Sequence, residues 1–527
     1  MIISLTWLAV AFITVMLYFR QKYSVFSKVG VKNLPVVPFF GHSLWALIKT
    51  ENFADTVQRN AFAFPEDKIV GQYEMTSPVY VVTDVDVIKK VTIKDFEHFI
   101  DRRVFAPKKD PFFGRGLLLL KGDEWKEMRS TLSPAFTSSK IRLMVPFMVE
   151  VGEKMIKTLR QKLNESANAS IECNIKDMTT RYANDVIASC AFGLHVDSQS
   201  TNNQFYMCSK EATTFSVSQI LKFLICRDLP LLADVLGMNV SSKKAGKFFS
   251  EVVLSTMKER EEKHIYRPDM INILQEVKKG KLVHEKEVDA DAGFATVEES
   301  NVGKKKYNRE WSDFDLVAQA TLFLIAGFDT VSTAMSFIIH ELAVNPDVQE
   351  KLVQEIKEQD IENDGKFDFN SIQSLKYLDM VVSEGLRLYP PALFMDRVCI
   401  KDYNIGRINS TSTNDLIIRK GDVIGLPIWA FHRNPKLFPD PQKFDPERFS
   451  DENKHKIKPF SYMPFGLGPR NCIGSRFALC EVKVMLYQLL REMKLSPGKK
   501  TEIPLKLEPG FNMNIKNGGW VQLQARS

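Results

Sequence analysis

The 527-residue chain has few of the residue patterns that mark a metal or dinucleotide site. Its 7 cysteines and 8 histidines form no Cys-x-x-Cys motif and no close histidine pair, which disfavours a zinc site. A flavin or nicotinamide fingerprint is also missing, so electrons for any redox chemistry must come from another protein. Lys and Arg outnumber Asp and Glu only modestly, 71 against 64. Without a nucleic-acid-binding motif, this excess argues against a nucleic-acid partner.

Charged side chains are absent from Met1 to Phe19, a segment that is almost wholly apolar. Such a run can just span a bilayer as a helix, and it has neither the basic start nor the small-residue cleavage site of a signal peptide. The basic residues that follow are Arg20, Lys22, Lys28 and Lys32. Positive charge after a span places the remainder on the cytosolic side. The odd number of scattered cysteines also fits a reducing compartment.

No Gly/Ser linker or internal repeat divides the rest of the chain. We therefore predict a transmembrane signal anchor at residues 1–19, a basic and proline-containing linker at 20–45, and one catalytic domain at 46–527. Helical periodicity dominates this domain, with strand-like pieces at 79–83 and 423–426. The predicted fold class is mainly α with small β-sheets.

Cys472 lies in the loop Phe465-Gly-Leu-Gly-Pro-Arg-Asn-Cys-Ile-Gly474, which opens onto a helical pattern from Ile473 to Lys494. A cysteine at a helix N-terminus meets free N–H groups and the positive end of the helix dipole, which favour its thiolate form. Arg470 acts in the same direction. Such a lone thiolate is a nucleophile, a zinc ligand or a haem ligand.

The commonest role of a free cysteine is a buried structural one, but the loop pattern makes that role less probable for Cys472. The pattern Phe-x-x-Gly-x-Arg-x-Cys-x-Gly fixes five residue types, which a chain of this composition rarely produces by chance. A catalytic Cys–His pair is not excluded by spacing, although it would not explain the arginine and both glycines.

Glu384-Gly-Leu-Arg387 lies in a helical pattern that ends at Pro390 and Pro391. Glu and Arg at this spacing share one helix face. The spacing alone is expected about once by chance in a chain this long and is typical of a solvated surface pair. In this chain the Glu-x-x-Arg pattern occurs once, and it precedes the segment Pro446-Glu-Arg448-Phe.

A buried helix is predicted from about Asp313 to Val344, because Trp311-Ser-Asp-Phe-Asp supplies capping residues and Pro346 ends it. Its middle, residues 322–330, is apolar on most sides. Gly327 there costs about 1 kcal/mol relative to Ala, which indicates that another group approaches closely.

Asp329 inside this apolar helix needs a partner or a task. The alternative interpretation of the segment is a glycine for helix packing and a Thr330 hydroxyl bonded back to the carbonyl of Ala326. Trp125-Lys-Glu-Met-Arg129 places Trp and Arg on one helical face, a pattern that alone is typical of an ordinary amphipathic surface.

With these motifs in this order, the chain resembles the cytochrome P450 superfamily of haem-thiolate monooxygenases, over essentially its whole length after the anchor. Residues 132–138, 326–330 and 465–474 look most like the animal clan of mammalian drug-oxidising and insect detoxification enzymes. The total length and a charged stretch at residues 278–308 look like insect family nine.

The resemblance implies the cytochrome P450 fold, with haem b between the long central helix and the Cys472 loop. Cys472 would be the axial iron ligand, a thiolate that favours O–O cleavage, and Phe465 and Gly474 would lie against the haem. The haem propionates would be bound by Arg470, Trp125, Arg129, Arg397 and Arg102.

The resemblance also implies roles for the two remaining groups of residues. Glu384, Arg387 and Arg448 would form a structural triad behind the haem. Thr330 would hold the reacting oxygen and its water, and Asp329 would deliver protons. Val331 stands where the family often has a second hydroxyl residue. This departure concerns the details of the proton relay through Thr330 and Asp329, and not the relay itself.

Electrons would then come from NADPH through NADPH–cytochrome P450 reductase, with cytochrome b5 as an optional second partner. The substrate would be a lipophilic small molecule, xenobiotic or endogenous, that is hydroxylated or epoxidised. The family's usual place is the endoplasmic reticulum membrane, single-pass, with the catalytic domain cytosolic. Two alternatives are a same-fold isomerase or dehydratase, against which Asp329 and Thr330 argue, and a non-enzymatic haem-bearing ligand carrier.

Overall fold

The computed structural model describes residues 2–214, 217–279, 293–297, 300, 302 and 311–526, without the side chains of residues 2–5, 8, 9 and 217. Much of the charged stretch 278–308 thus lies outside the described residues. The chain forms two compact units, each built from separate stretches. The first comprises 1–103, 393–434 and 508–513, and the second comprises 104–392, 435–507 and 514–527.

The first unit contains a four-stranded sheet in the order β1-β2-β7-β4 and a two-stranded sheet β5-β6. The strands are β1 (Ile69–Glu74), β2 (Ser77–Val82), β4 (Met395–Val398), β5 (Tyr403–Gly406), β6 (Leu416–Ile418) and β7 (Val423–Leu426). Valines and aromatic residues pack on the larger sheet, namely Val70, Val79, Val81, Val423, Phe64 and Phe394. Both predicted strand pieces lie in this sheet, as β2 and β7, so those predictions are confirmed apart from one residue at the end of β2.

The helices of the first unit are α1 (Ile2–Lys22), α2 (Val25–Lys28), α3 (Leu44–Leu47), α4 (Phe53–Phe62), α5 (Val85–Lys89) and α18 (Ile428–His432). A π-helical turn (Lys90–Lys94) and a 3-10 turn (Phe96–His98) continue α5. In α1 the described apolar side chains before Phe19 are exposed, including Trp7 at 70% and Phe12 at 66%, whereas Phe19 is buried. Arg20 and Lys22 lie in its last turn.

The second unit is mainly helical, with a three-stranded sheet in the order β3-β9-β8. Its strands are β3 (Ser170–Asn174), β8 (Met493–Ser496) and β9 (Trp520–Ala525). Its helices are α6 (Gly122–Leu132), α7 (Ser138–Asn164), α8 (Ile175–Phe192), α9 (Gln204–Thr213), α10 (Val217–Asp228), α11 (Pro230–Val235), α12 (Lys243–Glu262), α13 (Met270–Lys278), α14 (Asp313–Val344), α15 (Pro346–Glu362), α16 (Phe369–Ser374), α17 (Lys376–Leu388) and α19 (Ser475–Glu492). Single 3-10 turns occur at Ser133–Phe136, Pro446–Phe449, Lys454–Lys456 and Lys516–Gly518.

Helix α14 is the central element of this unit, and its bounds confirm the prediction. Ser312 caps it, and Asp315 completes a reciprocal capping box. Among the helices whose side chains are all described, which leaves α1 out, α14 is the one long and apolar enough to cross a membrane, and 67% of its most apolar window is buried. Such burial is typical of a core helix.

Candidate active site

The loop before α19 holds Cys472 in place through its backbone. The N–H of Cys472 donates to the carbonyl of Phe465 at 2.8 Å, and Gly466 and Gly468 adopt left-handed φ angles of 78° and 70°, which glycine adopts without a steric penalty. Gly474 is the N-cap of α19. The Cys472 side chain is exposed, so its thiol projects from a helix N-terminus, as the sequence predicts.

Three predicted site residues meet beside this loop. The Arg470 guanidinium lies 4.3 Å from the centre of the Trp125 ring, and its Nη1 donates to the carbonyl of Leu118 at 3.2 Å. Arg129 donates to the backbone and side-chain oxygens of Asn471, at 2.8 and 2.7 Å. All three side chains are almost fully buried. They therefore tie α6 to the Cys472 loop and concentrate positive charge there.

Helix α14 lies near the same loop, and Phe136 is the link between them. The Phe136 ring is 5.3 Å from the Phe323 ring of α14, and its Cε1 lies 3.6 Å from the position that a Cβ on Gly474 would take. One turn beyond Phe323, Ala326 is exposed on an otherwise buried helix, as is Thr330. Cys472 and Thr330 thus belong to one region of the second unit.

The middle of α14 shows both features of the alternative interpretation. A Cβ on Gly327 would lie 2.8 Å from Cδ1 of Ile187, so the group that approaches this glycine is α8. The Thr330 hydroxyl donates to the carbonyl of Ala326. This bond is local and leaves the hydroxyl oxygen able to accept another hydrogen bond.

The partner that Asp329 requires is Lys176, at the start of α8. The Lys176 ammonium donates to Asp329 Oδ1 at 3.1 Å, to the Ser332 hydroxyl at 3.0 Å and to the Thr333 hydroxyl at 2.8 Å. All three of its N–H donors are thereby used. The sequence analysis missed Lys176, because nothing in the pattern around residue 176 signals a contact 153 residues away.

Glu384, Arg387 and Arg448 meet in the second unit. Arg387 donates through Nε and Nη2 to the two oxygens of Glu384, at 2.7 and 2.9 Å. Arg448 Nε lies 3.4 Å from Glu384 Oε1, and the N–H of Asp445 donates to the same oxygen. Glu384 and Arg387 are fully buried. Burial raises the pKa of Glu384, and the two guanidinium groups oppose that rise.

Arg397 and Arg102 lie in the first unit, on and beside strand β4. Arg397 is fully buried; its Nη1 donates to the carbonyl of Asp396 at 2.8 Å, while its Nε and Nη2 have no hydrogen-bond partner among the described residues. Burial and the nearby Arg102 lower the pKa of Arg397 to about 9. Arg397 is therefore still charged at neutral pH and suited to an acidic group.

Comparison with known proteins decides what this arrangement is. A model of the family described as Cytochrome P450 matches residues 32–521. The chain belongs to the cytochrome P450 family. Cytochrome P450 9e2 of Blattella germanica is 43% identical over 98% of the chain and 97% of its own length. Probable cytochrome P450 9f2 of Drosophila melanogaster is 41% identical over 95% of both, and human Cytochrome P450 3A7 is 33% identical over 96% and 93%.

These likenesses confirm three predictions: the superfamily, the mainly helical cytochrome P450 fold, and the monooxygenase type of enzyme. The similarity to family-nine proteins of insects is confirmed as well. Haem is the cofactor of this family, and the residues present fit it. In the second unit, the exposed Cys472 thiol would suit the iron, and the exposed stretch of α14 would suit an apolar face. In the first unit, the free donors of buried Arg397 would suit a carboxylate.

Among the described residues, no group of three or more His, Cys, Asp or Glu side chains could hold a metal ion. A single protein ligand such as Cys472 is sufficient where the porphyrin supplies the other ligands in the plane.

Proposed function

We propose that this cytochrome P450 is a membrane-anchored monooxygenase that hydroxylates or epoxidises lipophilic small molecules, with electrons from NADPH delivered by NADPH–cytochrome P450 reductase. The observation that carries the proposal is the exposed Cys472 thiol near the exposed Ala326 and Thr330 of α14. Cytochrome b5 would be an optional second donor. The absence of a flavin or nicotinamide fingerprint supports an external donor.

In this proposal Cys472 holds the haem iron, and Phe465 and Gly474 lie against the porphyrin. Arg470, Arg129, Trp125, Arg397 and Arg102 bind its carboxylates. Haem with a thiolate ligand supplies the activation of dioxygen. Such a set of buried arginines matches two carboxylates better than lysines would, because the planar guanidinium can donate two parallel hydrogen bonds.

Asp329 and Thr330 carry the proton transfer. The Thr330 hydroxyl, already bonded to the carbonyl of Ala326, can accept a hydrogen bond from a water and orient that water toward the reacting oxygen. Asp329 is half-exposed, so its carboxyl group can exchange protons with solvent. Lys176 fixes the position of that carboxyl. A peroxide-rearranging isomerase or dehydratase needs no such pair, which favours the monooxygenase.

The membrane part of the proposal rests on α1. Its described side chains from Trp7 to Tyr18 are exposed and, apart from Thr14, largely apolar, and the basic Arg20 and Lys22 follow. An exposed apolar helix is stable in a bilayer and costly in water. The anchor at residues 1–19 would place the domain at 46–527 on the cytosolic side of the endoplasmic reticulum, in single-pass topology.

The test is the reduced-minus-carbon-monoxide difference spectrum of membranes that express the wild type, Cys472→Ser and the control Cys173→Ser. We expect a band at about 450 nm in the wild type and the control and its loss in Cys472→Ser. A band at about 420 nm in folded wild type would contradict thiolate ligation.

Reconstitution then separates monooxygenase from carrier and isomerase. With purified reductase, NADPH and a panel of lipophilic substrates, a monooxygenase oxidises NADPH in a substrate-dependent way and incorporates one labelled oxygen atom from dioxygen. Turnover without NADPH would favour the isomerase, and binding without turnover would favour the carrier.

A further inference from the structure

Asp110 is a fully buried carboxylate that is held entirely by hydrogen bonds. Its Oδ1 accepts the N–H groups of Phe112 and Phe113, each at 3.1 Å, and the hydroxyl of Ser241. Its Oδ2 accepts the N–H groups of Val240 and Ser241, each at 2.9 Å. Among the described residues, no Lys, Arg or His forms an ion pair with it. A buried carboxylate without a cation requires such complete hydrogen bonding.

The five bonds fall into two sets. Two bonds of Oδ1, to Phe112 and Phe113, close a turn next to Asp110 itself, whereas the Ser241 hydroxyl bond of Oδ1 and both bonds of Oδ2 reach a segment about 130 residues away. That segment is the connection between α11 and α12, residues 236–242, which we call the α11–α12 turn. The stretch that contains Asp110, residues 104–121, we call the wall segment.

The wall segment lies along α14. Arg115 pairs with Asp315 at 2.7 Å, the N–H of Leu117 donates to Gln319 Oε1 at 2.8 Å, and Gly116 packs against Leu322. The positions 315, 319 and 322 continue along the same helix face to 326 and 330, in steps of three or four. The wall segment therefore covers the N-terminal part of this face of α14, and Ala326 and Thr330 lie farther along the same face.

At its other end the wall segment meets the Cys472 loop. Arg470 donates to the carbonyls of Leu118 and Leu120, at 3.2 and 2.5 Å. The segment thus runs from α14 to the loop that bears the thiol, and it forms one side of the candidate active site.

The element on the far side of the Asp110 link is weakly anchored. In α11 only Ala233 is buried, and Leu231 and Val235 are 82% and 84% exposed. Segments with few buried apolar contacts open locally at low free-energy cost. The bonds of the buried Asp110 carboxylate to the turn after α11 therefore contribute much of what holds α11 in place.

We propose that Asp110 is a specificity-determining residue, because its bonds to the α11–α12 turn set the size of molecule that passes the wall segment into the active site. Small molecules enter with the link intact, and bulky ones enter only when the bonds between Asp110 and the α11–α12 turn open. The inference rests on the proposed function, since it assumes that the Cys472 region binds a ligand.

The test compares Asp110→Asn with the control Asp123→Asn, which makes the same charge change on a side chain that is 90% exposed. Asparagine keeps one acceptor oxygen and places an NH2 group against N–H donors. The orientation that preserves the turn and the Ser241 hydroxyl bond keeps three of the five hydrogen bonds. Asp110→Asn thus removes two of the three bonds between the two segments and leaves the local turn intact.

Stopped-flow absorbance would measure the association and dissociation rates of two iron-binding probes, small imidazole and bulky clotrimazole. We expect Asp110→Asn to raise both rates about tenfold for clotrimazole, as the loss of one or two hydrogen bonds allows, with little change for imidazole. Asp123→Asn should match the wild type. Equal acceleration of both probes, or of neither, would overturn the proposal.

A second variant and a second readout keep the test decisive. If Asp110→Asn fails to fold, Ser241→Ala removes one bond only, and an unchanged clotrimazole rate in that variant would overturn the proposal. Hydrogen exchange needs no haem ligand: the amides of Val240 and Ser241 should exchange faster in the variant than those of Phe112 and Phe113. Loss of the 450 nm band in wild type would defeat the proposed function, whereas this exchange pattern tests the link alone.

Discussion

Arg387 and Arg397 are both fully buried, yet their surroundings differ. Arg387 donates to both oxygens of Glu384 and to the carbonyl of Pro441 at 2.9 Å. Arg397 has one backbone acceptor, and two of its nitrogens have no partner among the described residues. A buried guanidinium with every donor used serves the fold. One that is buried with free donors is suited to an anion from outside the chain.

The difference matters because a buried charge is costly unless it is paired. Removal of one partner from a buried pair destabilises a protein by about 3–5 kcal/mol, since the other charge is left without compensation. Removal of a charge that lacks a partner relieves its desolvation penalty instead. Substitution of Arg387 should therefore lower the stability of the fold, whereas substitution of Arg397 should weaken ligand binding and leave the fold at least as stable.

The largest effect is expected for Arg387→Leu. Because Glu384 would remain buried without its main partner, we expect a loss of about 3–5 kcal/mol in the free energy of unfolding. Urea denaturation followed by tryptophan fluorescence measures it. Arg419→Leu is the matched control, since Arg419 pairs with Asp402 on the surface and is 68% exposed. Equal urea midpoints for the two variants would show that the triad does not stabilise the fold.

Arg397→Leu should have a smaller effect of a different kind. We expect the haem-free protein to be at least as stable as the wild type, because an unpaired buried charge has been removed. We expect the haem-loaded protein to lose haem about 10–100-fold faster, because a charge-assisted bond is worth roughly 1.5–3 kcal/mol. Transfer of haem to excess apomyoglobin measures that rate. A lower urea midpoint with unchanged haem loss would place Arg397 with Arg387 as a folding residue.

The smallest change in stability is expected for Lys176→Met, which extends the comparison to a partly exposed pair. Lys176 and Asp329 have 19% and 46% of their side chains exposed, so their pairing adds little to stability. We expect the urea midpoint to stay near that of the wild type, while product formed per NADPH falls several-fold and the solvent isotope effect changes.

Two further variants make the Lys176 result specific. Lys176→Arg should keep the amount of product formed per NADPH near that of the wild type, because it keeps a cation near Asp329. Lys154→Met should behave as the wild type, since Lys154 pairs with Glu150 on the surface. An unchanged amount of product per NADPH in Lys176→Met would exclude a role for Lys176 in proton transfer.

Much of this structure could be predicted from short-range patterns in the sequence. The bounds of α14 follow from Ser312 and Pro346, and the position of Cys472 at the start of α19 follows from the loop and the amphipathic pattern beyond it. The link of Glu384 with Arg387 follows from their spacing on one helix. Each of these features depends on residues within a few turns of one another.

The rest depends on contacts that no short pattern encodes. Lys176 meets Asp329 from a different helix, and Asp110 meets Ser241 across 131 positions. Gly327 was expected to admit a close neighbour, but only the packing of α8 identifies that neighbour as Ile187. The free donors of Arg397 are likewise visible only once the burial of strand β4 is known. Tertiary packing decides which of several chemically suitable partners each side chain finds.

The wall segment is fastened mainly through main-chain atoms and through residues outside its apolar run. Gln319 and Arg470 bind the N–H of Leu117 and the carbonyls of Leu118 and Leu120, so these bonds survive whatever side chain stands at the three leucines. Substitutions at these positions can therefore change the size and polarity of the wall segment without removing the bonds that fasten it to α14 and to the Cys472 loop.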